Sequence, residues 1–443
     1  MITWALGDTL LTLDYGVFNG TVENGLSVWR GVPFARPPVG KLRFRAPQPP
    51  QMSTSVQQAK EFKDSCLQFG DEGTNSAGIT SSEDCLYLNI WKPTDAKNLP
   101  ILFWIHGGWF IIGSSSLASY DGSHLVRYSN NNIIFVSANY RLGPLGFLAS
   151  EEVRRGGDLN AGLLDQRMAM DWIRKYARAF GGDPTQLTVM GESAGAFSIG
   201  FHLLSEKAFQ RPFDRAILAS GASTSAYNCP SYKSLQQIYD EFVKRVGCST
   251  AKDTLECLRK CNMTLLHDAG KAMANSSTLF NFIPTVDGKY VKKDCSYILE
   301  NCKFLAIPLI VGTTTNEGTI FTRNLPSNTW KEFSAYSPNL YKYRFNQARD
   351  PLGAFHTADI PYAFHNTRSM TTSQVKLADL ISDYYISFVR SGDPNAHTFN
   401  FKWPKYGDGQ QIVFEALNTR LEMDTSDNER CTFWNSFNFF CFK

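Results

Sequence analysis

Residues 188–197 read Thr188-Val-Met-Gly-Glu-Ser-Ala-Gly-Ala-Phe197, and this stretch decides the fold. The apolar run Leu187 to Met190 is of strand type, and Gly191-Glu192-Ser193-Ala194-Gly195 follows it without a break. A G-x-S-x-G pattern directly after a buried strand is a strained strand-to-helix turn. Its glycines stand where side chains would collide in so tight a turn. The turn lifts the Ser193 hydroxyl out of the sheet at the N-terminus of a helix. The stretch therefore predicts a nucleophile, an architecture and a reaction class together.

Working outward, other short apolar runs flank this one. Pro100–Ile105 and Ile133–Ser137 precede it; Ala216–Ala219 and Ile307–Val311 follow. Continuous runs of this length fit strands buried on both faces of a largely parallel sheet. Within Leu163–Phe180, Met168, Ala169, Trp172, Ile173 and Tyr176 recur at helical spacing, and Asp183-Pro184 leads into the serine strand. The order strand, helix, strand, turn, helix predicts an α/β fold: a central, mostly parallel twisted sheet with helices on both faces. Leu377, Leu380, Ile381, Tyr384 and Phe388 mark a later amphipathic helix stopped by Gly392-Asp-Pro394. Leu11, Leu13 and Tyr15 alternate with polar residues as a short strand, and Arg30–Gly40, with Pro37 and Pro38, reads as rigid loop. Residues 66–85 read as a polar surface loop between two cysteines, about 232–283 as a helical insertion over the sheet, and 433–442 as aromatic packing surface. The whole chain, 1–443, is read as one domain.

Composition narrows the function. An apolar content of 43% supports a large core, and a net charge of +3 makes no electrostatic case for nucleic acid. The longest apolar candidate, Ile101–Gly113, is broken by His106-Gly107-Gly108, so no stable membrane insertion is expected. The N-terminus shows no secretory leader. Ten cysteines, with sequons at Asn19, Asn262 and Asn275, nevertheless favour the secretory pathway. Cys248, Cys257 and Cys261 lack C-x2-C spacing and a nearby histidine pair, so no metal site is expected there.

A serine hydroxyl needs a histidine to take its proton and a carboxylate to orient that histidine. On this architecture the chain order is serine, acid, histidine. Of seven histidines, His267, His356, His365 and His397 lie well beyond Ser193. His356 sits on the loop after strand-like Leu340–Phe345, with His365 its nearest substitute. Glu317 sits in Gly312–Gly318, leaving the run Ile307–Val311. Both loops leave carboxyl ends of strands, where open α/β sheets bind ligands. Trp104-Ile-His-Gly-Gly-Trp-Phe110 supplies a glycine-rich turn whose N–H groups, with that of Ala194, converge on an oxyanion. Trp109 stands where a smaller residue would be roomier, and its indole narrows the acyl or alcohol pocket. His106 reads as a loop-stabilising group, and Glu192 either tunes the site or supports the turn.

Several longer blocks carry a resemblance. Arg30-Gly-Val-Pro-Phe-Ala-Arg-Pro-Pro-Val-Gly-Lys-Leu-Arg-Phe44, Ser82-Glu-Asp-Cys-Leu-Tyr-Leu-Asn-Ile-Trp91, Asn160-Ala-Gly-Leu-Leu-Asp-Gln-Arg167 and Phe180-Gly-Gly-Asp-Pro184 join the serine turn. The chain resembles the carboxylesterase type-B family of α/β-hydrolases, which includes cholinesterases and secreted fungal lipases. The resemblance implies a serine hydrolase that cleaves carboxylic esters through an acyl-enzyme, without cofactor or metal. It implies Ser193, Glu317 and His356 as the triad, and Gly108, Trp109 and Ala194 as oxyanion donors. It implies a Cys66–Cys85 disulfide and, by similarity to the fungal branch, Cys248–Cys257. Cys295–Cys302 and Cys431–Cys441 are expected from proximity alone.

Two departures restrict this reading. The Cys66–Cys85 loop has no tryptophan, the ring with which cholinesterases hold a quaternary ammonium, and it is shorter than a fungal lipase lid. A soluble-ester substrate is favoured over choline esters or triglyceride. Only 39 positions separate Glu317 from His356, less than half the usual family interval, an apparent shortening between 318 and 340. The alternatives are a lipase acting on acylglycerols, or an impaired family member serving as a binding module. The oligomeric state is left open.

Overall fold

The computed structural model describes residues 9–70, 80–205, 210–222, 229–274, 281–300, 304–317, 339–348, 352–396 and 401–424. These residues form an eleven-stranded main sheet. Its strands are β1 (Thr21–Glu23), β2 (Leu26–Pro33), β3 (Tyr87–Pro93), β4 (Leu99–Ile105), β5 (Ile134–Ala138), β6 (Gly182–Glu192), β7 (Arg215–Ala219), β8 (Leu309–Thr314), β9 (Leu340–Phe345), β10 (Gln410–Phe414) and β11 (Arg420–Met423). The spatial order is β11-β10-β9-β8-β7-β6-β4-β5-β3-β2-β1. The run from β10 to β5 is parallel throughout. Antiparallel strands flank it, β11 at one end and β3, β2 and β1 at the other.

The continuous apolar runs have a simple physical origin. Along β4, Ile101, Phe103 and Ile105 pack into one core layer, and Leu102 and Trp104 into the layer on the opposite face. The same alternation separates Val189 from Met190 and Leu218 from Ile217. With both faces covered, neither set of side chains can be polar. Helix α1 (Ala161–Tyr176) and helix α2 (Ala194–Leu204) supply the first layer. Between β7 and β8 lie α3 (Gln236–Val246), α4 (Thr254–Lys260) and α5 (Met263–Ala274). The second layer is covered by α6 (Thr372–Ser391), which starts at a Thr371–Gln374 capping box and stops at Gly392 with φ +79.

Some sequence expectations need correction. The segment read as loop from Arg30 begins inside β2, which continues to Pro33 through a bulge between Trp29 and Val32. Gly31, at φ +75, and Pro33 mask the strand in the sequence, while Gly31 N–H donates to buried Asn89 at 3.0 Å. Cys66–Cys85 and Cys248–Cys257 are disulfide-bonded. Cys295, however, pairs with Cys229 and not with Cys302. A bridge between Ser231 and Val286 folds the chain back and brings the two distant segments together. Cys302, Cys431, Cys441, His397, Asn275, the 433–442 stretch and nearly all of the 318–340 interval lie outside the described residues. No helix among the described residues is long and apolar enough to cross a membrane.

Candidate active site

The strand order fixes where a site must form. From β4 the chain moves to β5 on one side and then to β6 on the other. The carboxyl ends of β4 and β6 therefore flank a topological switch point, where crossover helices on opposite faces leave a crevice. The loop after β4 begins at His106, and the turn after β6 holds Ser193.

Ser193 adopts φ +54 and ψ −124, a conformation that costs about 1–3 kcal/mol for a non-glycine residue. The surrounding packing enforces it. A Cβ on Gly191 would stand 2.6 Å from the Gly195 carbonyl carbon, and one on Gly195 would stand 2.1 Å from Ile105 O. Only hydrogen fits at either position, so strand β4, strand β6 and helix α2 close on the serine from three sides. Ala194 is the first residue of α2, where the backbone N–H has no partner within the helix. A Cβ on Gly107 would lie 3.0 Å from Ser193 Cβ, so the β4 loop abuts the serine directly. Gly108, Trp109 and Phe110 then run through three positive φ angles, +110, +58 and +62. Gly108 tolerates this, but Trp109 and Phe110 each bear a left-handed strain of about 1 kcal/mol.

Glu317 and His356 meet beside this turn. Glu317 Oε2 lies 2.5 Å from His356 Nδ1, and Glu317 Oε1 accepts from Thr314 N–H at 2.7 Å. Asn316 ties the two loops together: its N–H donates to Ala354 O at 2.9 Å and its Oδ1 accepts from Ala354 N–H at 3.0 Å. Gly353, at φ +78, lets the loop approach so closely, since a Cβ there would stand 2.5 Å from Asn316 Oδ1. However short the interval between Glu317 and His356, its two ends are clasped.

The other ring nitrogen of His356 faces the serine turn. Glu192 Oε1, one residue before Ser193, lies 2.9 Å from His356 Nε2, oblique to the N–H direction. Among the described residues Ser193 Oγ makes no hydrogen bond. Burial alone would push the His356 pKa down, but the carboxylates of Glu192 and Glu317 hold it well above its ordinary value. Burial also works against a charged Glu317, yet the His356 imidazole keeps its pKa below the usual carboxylate value. A third carboxyl, Asp359, is buried three residues beyond His356 and accepts from Tyr343 OH at 2.7 Å. Its burial pushes its pKa up to about 7. The sequence carried a signal for Glu192, inside the serine turn, and none for Asp359 or the Asn316 clasp.

Three other described histidines have other contacts. His365 pairs with Asp379 at 2.8 Å and stacks on Tyr128, so it is no substitute base. His267 Nε2 contacts Gln68 O at 2.8 Å. His106 stacks on Tyr140 and contacts Gly107 O at 2.8 Å, and burial pushes its pKa down to about 4, a neutral group bracing the loop.

The carboxylesterase family model matches residues 7–339 and 326–434. The chain belongs to the carboxylesterase family. It is 32% identical to the para-nitrobenzyl esterase of Bacillus subtilis over 95% of this chain and 97% of that protein. It is 31% identical to secreted lipase 1 of Botryotinia fuckeliana over 94% of this chain and 89% of that one. Among solved structures it superposes on EstA of Aspergillus niger with a TM-score of 0.85 at 29% identity, covering 97% of this chain and 98% of the other. As a member of the carboxylesterase family the protein is a carboxylic ester hydrolase with an α/β-hydrolase fold, and the two matched segments overlap between residues 326 and 339.

If His356 serves as the base and Glu192 raises its pKa by its charge, Glu192→Gln moves the acid limb of the kcat/KM profile to lower pH. The sign follows from the base working only when neutral, so a lower pKa exposes it at lower pH. A pH-rate profile on a soluble aryl ester reads this directly, and an unmoved limb would show that Glu192 only supports the turn.

Proposed function

We propose that the protein hydrolyses small, soluble carboxylic esters, with Ser193 as nucleophile, His356 as base and Glu317 as the orienting acid. The observation that carries this reading is the 2.5 Å contact of Glu317 with His356 Nδ1, while Nε2 faces the strained turn that bears Ser193. With Nδ1–H held by Glu317, a neutral His356 presents its Nε2 lone pair. Ser193 Oγ attacks the ester carbonyl carbon and its proton passes to Nε2. The carbonyl electron pair moves onto oxygen, held by the N–H groups of Gly108, Trp109 and Ala194. Collapse expels the alkoxide, which takes the proton from His356 and leaves as the alcohol. Water then repeats the sequence on the acyl-enzyme and releases the acid.

The preference for small soluble esters rests on Trp109 and on the short Cys66–Cys85 loop. Trp109 is half-buried on the loop that abuts Ser193, and on this reading its indole takes up acyl space. Trp109→Gly is expected to raise kcat/KM for hexanoate over acetate esters by about 10-fold or more, since each methylene in an apolar pocket is worth roughly 1–3 kcal/mol. The same change relieves the left-handed strain at φ +58, so the protein should not lose stability on backbone grounds. An unchanged chain-length profile would remove Trp109 from the acyl pocket. A steep rise in rate above the substrate's solubility limit would favour the lipase reading instead.

Residence in the secretory pathway is part of this proposal. The three disulfides among the described residues suit an oxidising compartment, and one relative is by name a secreted lipase. Of the sequon asparagines, Asn262 is exposed in the turn before α5 and Asn19 is half-exposed on a strand. The single main sheet supports reading the chain as one catalytic domain.

A further inference from the structure

A second cluster of reactive side chains lies in the helical insertion. Cys248 follows α3, Cys257 lies within α4, and Cys261 ends α4. Cys248 and Cys257 are joined, and Cys261 carries a thiol. The Cys261 Sγ stands 3.6 Å from the Cys248 Sγ and donates to Cys257 O at 3.2 Å. All three sulfurs lie within 4.8 Å of one another; Cys248 is buried and the other two are half-exposed.

We propose that these three cysteines form a thiol–disulfide exchange site with two connectivities. The Cys261 thiolate attacks Cys248 Sγ, a Cys248–Cys261 bond forms, and the Cys248–Cys257 bond breaks. Cys257 leaves with the electron pair and takes up a proton, so one thiol and one disulfide are present before and after, and no oxidant is needed. Burial selects the direction of attack. Attack on Cys248 expels Cys257, whose thiolate reaches solvent, whereas attack on Cys257 would expel the buried Cys248, whose thiolate would be poorly solvated. The sulfurs form a triangle, so in-line attack requires the Cys261 side chain to move.

Loop closure barely distinguishes the two forms. The present bond closes a separation of 9 residues and the alternative closes 13. The corresponding closure probabilities differ by less than about twofold. The exchange acts where α4 is anchored, because Arg43 Nη1 donates to Cys261 O at 2.6 Å and to Arg259 O at 3.1 Å. The same guanidinium holds Glu83, in the Cys66–Cys85 loop, by two 2.6 Å bonds. A change of disulfide partner thus alters the end of α4 that is tethered to that loop.

The test is trapping of the full-length protein with N-ethylmaleimide after incubation between pH 6 and 8.5, followed by non-reducing peptide mapping. Label is expected on both Cys261 and Cys257, with interconversion accelerating about tenfold per pH unit below the thiol pKa as the thiolate fraction rises. Label confined to Cys261 at every pH and time would overturn the proposal. The Cys257→Ser variant provides a second reading: it should contain a Cys248–Cys261 disulfide, and two free thiols at those positions would overturn the proposal equally.

Discussion

Ser193→Ala is expected to lower kcat for a soluble aryl ester by about a million-fold, because removing a triad serine alone costs about as much as removing all three partners. The residual rate would come from the oxyanion donors and binding. The fold should survive, because the side chain is small and Ser193 Oγ makes no hydrogen bond among the described residues. Alanine at φ +54 stays as strained as serine, whereas Ser193→Gly should release about 1 kcal/mol and raise the melting temperature while remaining equally inactive. Strain that is relieved only together with activity is the signature of a turn held for function. Steady-state rates with thermal unfolding of both variants decide the matter. Equal, background-level rates for the parent and the alanine variant would remove Ser193 as nucleophile and leave the binding-module reading standing.

Glu317→Gln should be nearly as damaging, with kcat reduced about 10,000-fold, because it reverses the tautomer of the base. Thr314 N–H donates to Glu317 Oε1 at 2.7 Å, so a glutamine must place its carbonyl oxygen there. Its amide NH2 then faces His356 Nδ1, which can only accept. The ring proton is driven to Nε2, where a lone pair is required. Removing the charge also lowers the His356 pKa, since Glu317 is one of the two carboxylates that hold it up against burial. The surviving activity should therefore show an acid limb displaced to lower pH. Glu317→Asp keeps the charge and should retain more activity than the glutamine. If glutamine and aspartate variants behave alike, Glu317 acts through packing and not through proton placement.

The legible part of the fold was the part buried on both faces. Strands β4 to β8 carry continuous apolar runs because side chains on alternate faces meet opposite core layers. Flanking strands lack that signature. β2 contains Gly31 and Pro33, and β10 and β11 lie at the sheet margin with Gln410, Arg420 and Glu422 among their residues. Cysteine pairing was legible only where the family pattern supplied it. The Cys229–Cys295 bond spans 66 positions and depends on a chain reversal that sequence proximity does not reveal.

By itself the sequence determined the strained serine turn, because Gly191 and Gly195 are the residue type that local sterics demand around Ser193 after a buried strand. It also placed Glu317 and His356 on loops at the right ends of their strands. Only the tertiary structure decided that these loops are clasped through Asn316 and Ala354, and that Glu192 confronts the second nitrogen of His356. The reason is physical. A strained turn is a short-range property written in consecutive residues. The charge state of a buried imidazole depends on which carboxylates the packed sheet brings within a few ångströms of it.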